Sequence, residues 1–128
     1  MPRRPMVLVV DDEPDIRRLV GDALRLEGYQ VRTAGDGQEA LQRVAEERPD
    51  LILLDLMMPV MDGRQFCRLL ARAPSRAERP ARIPVILLSA DRRLREQAEE
   101  LGAAGYLAKP FDLDDLLTAV QHHLGTGA

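Results

Sequence analysis

Three carboxylates, a hydroxyl and an amine stand where short apolar runs end. Met6 to Val10 runs into Asp11-Asp12-Glu13, and Leu51 to Leu54 runs into Asp55. Ile83 to Leu88 runs into Ser89, and Gly105 to Ala108 into Lys109-Pro110. An aspartate at the end of a buried strand is costly unless a cation, a metal or hydrogen-bond donors receive it. Three carboxylates brought close together cannot all stay ionised without a cation. Carboxylate and carbonyl oxygens, with waters completing an octahedron, suit Mg²⁺ or Mn²⁺. A metal plus Lys109 would keep Asp55 ionised and leave a pocket that attracts a phosphoryl group. Lys109 is the only lysine among 18 basic residues. A compact ammonium suits a single phosphoryl oxygen better than a guanidinium fork does. The plainer readings are an acidic helix-capping turn for Asp11 and Asp12, an ordinary strand-end serine for Ser89 and a surface charge for Lys109.

These residues need elements to carry them. The all-apolar runs Met6 to Val10 and Leu51 to Leu54 read as strands buried on both faces, as in a parallel sheet. Pro14 suits the first turn of a helix with Asp11-Asp12-Glu13 at the positive end of its dipole. Ile16, Leu19, Val20, Ala23 and Leu24 follow at helical spacing, and Glu27-Gly28 stops them. Tyr29 to Ala34 predicts a strand nearer the sheet edge. Asp36, with Glu39 three residues on, predicts a capped helix whose inner stripe is Ala40, Leu41, Val44 and Ala45. Gly63 opens a third helix with Phe66, Cys67, Leu69 and Leu70 inward. Ala73 to Arg82 reads as a solvated loop, and Ile83 to Leu88 as a fourth strand. Arg92 to Leu101 is a polar helix that buries Leu94, Ala98 and Leu101 and stops at Gly102. Gly105 to Ala108 is a fifth strand. Asp112 caps a last helix with Leu113, Leu116, Leu117, Val120 and Leu124 on one face. Strands alternating with helices make an α/β fold with a parallel sheet covered on both faces. Ligands in such sheets bind outside the carboxyl ends of the strands, where the strand order reverses. If the order is 2-1-3-4-5, strands one and three are neighbours about 5 Å apart, and Asp11, Asp12 and Asp55 converge.

A chain of 128 residues is one domain by length. The expected division is a tail at 1–5, a domain at 6–124 and a frayed end at 125–128. Hydrophobic content of 45% and charged content of 30% are ordinary for a globular protein. A net charge of −3 argues against nucleic-acid binding by general electrostatics. Basic residues precede the first apolar run as in a signal peptide. That run ends at Asp11, too soon for a signal core or a membrane span, so the expected setting is cytoplasmic. Cys67 is the one cysteine, which rules out an internal disulfide and fits a small core residue. His122 and His123 are adjacent, face different sides of a helix and make a poor metal pair. Arg92, Arg93 and Arg95 read as a solvated face.

The segments Val-Val-Asp-Asp-Glu13, Leu-Leu-Asp-Leu-Met-Met-Pro59, Asp62-Gly63, Leu-Leu-Ser-Ala90 and Tyr-Leu-Ala-Lys-Pro110 occur in this order. Together they resemble the receiver domain of two-component response regulators, of the chemotaxis type, from about Met6 to Leu124. The resemblance implies a flavodoxin-like, doubly wound sheet of order 2-1-3-4-5 with five helices on both faces. It implies that Asp55 accepts a phosphoryl group from a phosphohistidine in a Mg²⁺-dependent reaction. Asp12, Asp55 and the Met57 backbone carbonyl would ligate the ion, with Asp11 acting largely through water. Lys109 and Ser89 would each hold a phosphoryl oxygen. Ser89 and Tyr106 would switch the surface of helix four, strand five and helix five. The implied partners are a sensor histidine kinase or histidine phosphotransfer protein, and a downstream target or fused effector domain. Homodimerisation through the switching surface stays open. No nucleic acid, membrane or substrate turnover beyond its own phosphorylation and dephosphorylation is implied, and the Lys109-Pro110 bond is expected to be cis.

Two departures from the family pattern stand out. Ala73 to Arg82 is a few residues longer than usual, and the loop after Ser89 about two residues shorter, which limits how far Ser89 moves. Asp91, two after Ser89, can orient or repel a hydrolytic water. Rival readings are a haloacid-dehalogenase-type phosphatase, a flavodoxin-like cofactor binder, and a receiver that binds partners without phosphorylation. The first usually carries Asp-x-Asp and a cap, whereas Asp-Asp-Glu13 stands here. The second needs a Ser/Thr/Gly-rich phosphate loop, whereas these acids would repel a phosphate.

Overall fold

The computed structural model describes residues 4–58, 61–72 and 83–125. Pro59, the expected loop at 73–82, residues 1–3 of the expected tail and residues 126–128 of the expected frayed end lie outside the described residues. The chain runs β1 (Met6–Val10), α1 (Pro14–Leu26), β2 (Gln30–Ala34), α2 (Gly37–Glu46) and β3 (Leu51–Asp55). It continues through α3 (Gly63–Arg72), β4 (Val85–Ser89), α4 (Leu94–Leu101), β5 (Gly105–Ala108) and α5 (Leu113–Leu124). The strands form one parallel sheet in the order β2-β1-β3-β4-β5, as the receiver resemblance implies.

The pleat sorts the core into two layers. Leu8, Val10, Ile52, Leu54 and Leu87 face Ala40, Phe66, Leu94 and Ala98, so α2, α3 and α4 cover that side. Val7, Val9, Leu51, Leu53, Ile86 and Leu88 face Val20, Leu24, Leu116 and Val120, so α1 and α5 cover the other. Every residue of β1, β3 and β4 is buried, which is why these strands read as unbroken apolar runs. Among the described residues no helix is long and apolar enough to cross a membrane.

Several helix faces differ from expectation. On α1 the buried residues are Val20, Gly21 and Leu24, and Leu19 is 52% exposed. On α3, Leu69 is exposed because the inner stripe follows Gly63, Phe66, Cys67 and Leu70, and Leu69 falls off it. Ala45 is likewise exposed on α2. Helix α4 begins at Leu94, two residues late. The Asp91 side chain accepts the Arg93 N–H at 2.8 Å and its carbonyl accepts the Leu94 N–H at 3.2 Å, so this stretch forms a turn. Asp36 caps α2 by accepting the Glu39 N–H at 2.8 Å, and Glu39 in turn accepts the Gly35 N–H at 2.6 Å. Asp112 occupies the cap position of α5 without a side-chain cap bond. Cys67 packs against the α2–α4 layer, and burial pushes its thiol up to about 11. His123 Nδ1 lies 3.0 Å from the Ala119 carbonyl, so its polar atom is used within its own helix.

Candidate metal and phosphoacceptor site

Strand register brings the chemistry together. Val10 pairs with Leu54, Asp55 with Leu88 and Ser89 with Ala108, so the carboxyl ends of β1, β3, β4 and β5 end side by side. The alternation that sends Val7, Val9, Leu51, Leu53 and Leu107 to the α1–α5 side continues to Asp11, Asp55 and Lys109. Carboxylate oxygens of Asp11, Asp12 and Asp55 lie within 4.8 Å of one another. Lys109 Nζ donates to Asp11 Oδ2 at 2.8 Å and lies 3.5 Å from Asp55 Oδ2. A sequence separation of 98 residues is thus closed by the fold.

Each acid is held differently. Asp11 is fully buried, and its Oδ1 accepts the Glu13 N–H at 3.0 Å. Its carbonyl accepts a bond from Arg17 Nη1 at 2.7 Å, a support that sequence reading missed because Arg17 looks like any outward-facing helix residue. Asp12 is exposed at the rim. Asp55 is 3% exposed, and its Oδ1 accepts the Met57 N–H at 3.1 Å. Burial pushes the Asp55 carboxyl up to about 6, with the Asp11 charge adding to it and the Met57 N–H and Lys109 opposing it. Burial also weakens the Lys109 ammonium, but the Asp11 hydrogen bond and charge outweigh it, with Asp55 and Glu13 beyond, so its pKa stays above the ordinary value. One ammonium shared by two buried carboxylates leaves negative charge uncompensated. An all-oxygen set of this kind fits a hard divalent cation.

The other predicted residues surround this cluster. Met57 lies in the turn after β3 with its side chain 70% exposed and its N–H committed to Asp55. Ser89 is buried, and its Oγ accepts the Asp91 N–H at 3.0 Å. Tyr106 is 47% exposed on β5, opposite Leu87. The Lys109-Pro110 peptide is cis. An apolar pocket of about 290 Å³ adjoins Lys109 and is lined by Ile16, Leu19, Ala90, Pro110, Phe111 and Leu113.

Gly63 does more than open α3. A Cβ there would stand 2.8 Å from the Leu56 Cα and 3.0 Å from the Asp55 carbonyl oxygen, and its N–H donates to the Leu56 carbonyl at 3.1 Å. Only a residue without a side chain lets the helix start this close to the Asp55 strand end. The Asp-Gly pair reads as a turn in sequence; the close approach has no sequence signal. Gly63→Ala should cost roughly 1–3 kcal/mol, as overpacking against backbone does, and should weaken divalent-ion binding. A urea unfolding midpoint equal to that of the parent protein would count against this placement.

Comparison with known proteins agrees with the geometry. Residues 7–121 match the model of the response regulator receiver domain. The chain is 40% identical over 119 residues to the DNA-binding dual master transcriptional regulator RpaA of Synechocystis sp., covering 91% of this chain and 48% of that protein. It is 38% identical over 120 residues to sporulation initiation phosphotransferase F of Bacillus subtilis, covering 92% of each. It superimposes on the chemotaxis response regulator CheY4 of Vibrio cholerae with a TM-score of 0.82 and 36% identity, covering 95% of this chain and 100% of that one. The chain spans about half the length of the first curated relatives it matches. These relatives include transcriptional regulators as well as chemotaxis proteins, so the likeness is to receivers in general. Receivers are signalling modules rather than classical enzymes, they work with sensor histidine kinases and they are often fused to effector domains. The acidic cluster at the ends of β1 and β3, the ammonium from β5 and the family match lead to one conclusion: this chain belongs to the response regulator receiver domains and signals by phosphorylation.

Proposed function

We propose that Asp55 is the phosphoacceptor. The observation that carries this is a buried carboxylate with two acidic neighbours and the Lys109 ammonium 3.5 Å away. A carboxylate oxygen of Asp55 attacks the phosphorus of a phosphohistidine on the partner, and the P–N bond breaks with its electron pair passing to the imidazole. An acyl phosphate remains on Asp55, and water later returns the carboxylate and inorganic phosphate. Asp12, Asp55 and the Met57 carbonyl would hold Mg²⁺ or Mn²⁺, with Asp11 acting largely through water. The ion, when bound, neutralises phosphoryl oxygen charge. Lys109 pairs with one phosphoryl oxygen and the Ser89 hydroxyl donates to another, so catalysis is positioning and charge neutralisation. The chain acts on itself alone and is not a turnover enzyme.

Phosphorylation draws Ser89 toward the site and Tyr106 inward, which alters the α4–β5–α5 surface for a target, a fused effector domain or a second copy. The domain occupies 6–124, works in the cytoplasm and leaves nucleic-acid contact to other domains. The partner bringing the phosphohistidine must cover the mouth of the site. The exposed Leu19 and Met57 side chains and the pocket between α1 and Phe111 give it apolar footing. The test is incubation with Mg²⁺ and acetyl phosphate, which should add the mass of one phosphoryl group, and chelation should prevent it. Sustained turnover of a phosphomonoester would instead favour the phosphatase reading, and partner binding indifferent to phosphorylation would favour the phosphorylation-independent module.

A further inference from the structure

Helix α4 carries one polar residue in its buried stripe. Leu94, Gln97, Ala98 and Leu101 share that face, and Gln97 is 5% exposed. Its Nε2 donates to Asp91 Oδ2 at 3.4 Å, while its Oε1 has no hydrogen-bond partner among the described residues. An unpaired buried carbonyl is costly, and an apolar side chain of the same size would avoid that cost. The useful part of Gln97 is therefore its N–H on Asp91. Only the nitrogen end of the amide can face that carboxylate, since two acceptors cannot bond.

Asp91 is the hinge of a short chain of bonds. Its Oδ1 accepts the Arg93 N–H at 2.8 Å, its Oδ2 accepts from Gln97, and its own N–H donates to Ser89 Oγ at 3.0 Å. The loop after Ser89 is thus built from two consecutive side-chain-closed turns, pinned to the body of α4. We propose that Gln97 is a positioning residue: through Asp91 it holds the Ser89 hydroxyl in its resting orientation and so sets how readily the site accepts a phosphoryl group. This rests on the assignment of Ser89 as a phosphoryl ligand. The movement proposed for Ser89 on phosphorylation carries its Oγ away from the Asp91 N–H, so the latch lowers the population of the competent state and the apparent affinity with it.

The test is calorimetric titration with beryllium fluoride, a phosphoryl mimic, at saturating Mg²⁺. Gln97→Met keeps the volume, removes the unpaired carbonyl and cuts the bond to Asp91. It should tighten binding about three- to tenfold, the range set by loss of one hydrogen bond. Asp91→Ala, at an exposed position, should tighten binding in the same direction. In a Ser89→Ala background, Gln97→Met should change the affinity less than about twofold, because a latch without its hydroxyl has nothing to hold. Parent protein that binds the mimic with an affinity Gln97→Met leaves unchanged or weakens overturns the latch alone. So does an equal shift in both backgrounds, which is the mark of a merely structural effect. Parent protein that binds no mimic at all overturns the latch together with the phosphoacceptor assignment.

Discussion

Lys109→Met should destabilise the ion-free protein by about 3 kcal/mol. Asp11 is fully buried and its Oδ2 takes the ammonium at 2.8 Å, while Asp55 stands 3.5 Å from the same nitrogen. Removing the cation leaves two buried carboxylates facing each other with no positive charge between them. The loss is that of an unpaired buried charge and exceeds what an exposed ion pair is worth. Its pH dependence has a defined sign. The Lys109 pKa is held above the ordinary 10.5, so its contribution is fully present below that value and is lost as pH rises through the folded pKa. The gap between parent and variant, read from urea midpoints, should stay level from roughly pH 7 to 10 and close only as pH rises beyond 10.5. Mg²⁺ should restore part of the loss by placing positive charge among the same acids. A gap below about 0.5 kcal/mol, the range of an ordinary surface change, would show that Lys109 does not hold this cluster together.

Asp55→Asn should act in the opposite direction on stability while abolishing phosphorylation. The Asp55 carboxyl is raised from 3.8 to about 6, chiefly by burial. Between those values the folded state binds more protons than the unfolded chain, so stability falls as pH rises through that window and the whole cost is present above it. The cost is about 2–3 kcal/mol at neutral pH. The neutral amide escapes it and leaves Lys109 with its shorter bond to Asp11. Asp55→Asn should therefore unfold at higher urea concentration than the parent at pH 7.5 without added ion, and the two should converge near pH 4. Saturating Mg²⁺ should close most of that gap, because ion at about 100 times its Kd adds about 2.7 kcal/mol to the parent and less to a variant lacking one of the proposed ligands. Mass spectrometry after acetyl phosphate treatment should find no added phosphoryl group on the variant. Labelling that survives the substitution would place the phosphoryl group on another residue.

Elements and layers were legible in the sequence wherever a residue's fate depends on its near neighbours. Unbroken runs such as Met6–Val10 and Leu51–Asp55 bury both faces, so composition alone declares them, and a reactive residue at the end of each points to the carboxyl edge of a parallel sheet. Helix faces were less legible. Leu19 and Leu69 are apolar at nearly helical spacing yet exposed, because periodicity marks a stripe of some width and packing selects which edge is covered. The α4 start was misplaced by two residues because the Asp91 turn competes with helix through its own side chain, and a residue-type pattern does not say which wins.

What this sequence determined by itself is the list of parts: five strands, five helices, and Asp11, Asp12, Asp55, Ser89 and Lys109 at strand ends, all consequences of short-range pattern. Tertiary structure decided which of those groups meet. It set Lys109 closer to Asp11 than to Asp55, brought α3 onto the Asp55 strand end at Gly63, and tied Ser89 through Asp91 to Gln97. The physical reason is that side-chain alternation and helical period act over a few residues. Distances of 3 Å between groups on different strands depend on strand order, register and close packing, which are properties of the assembled sheet.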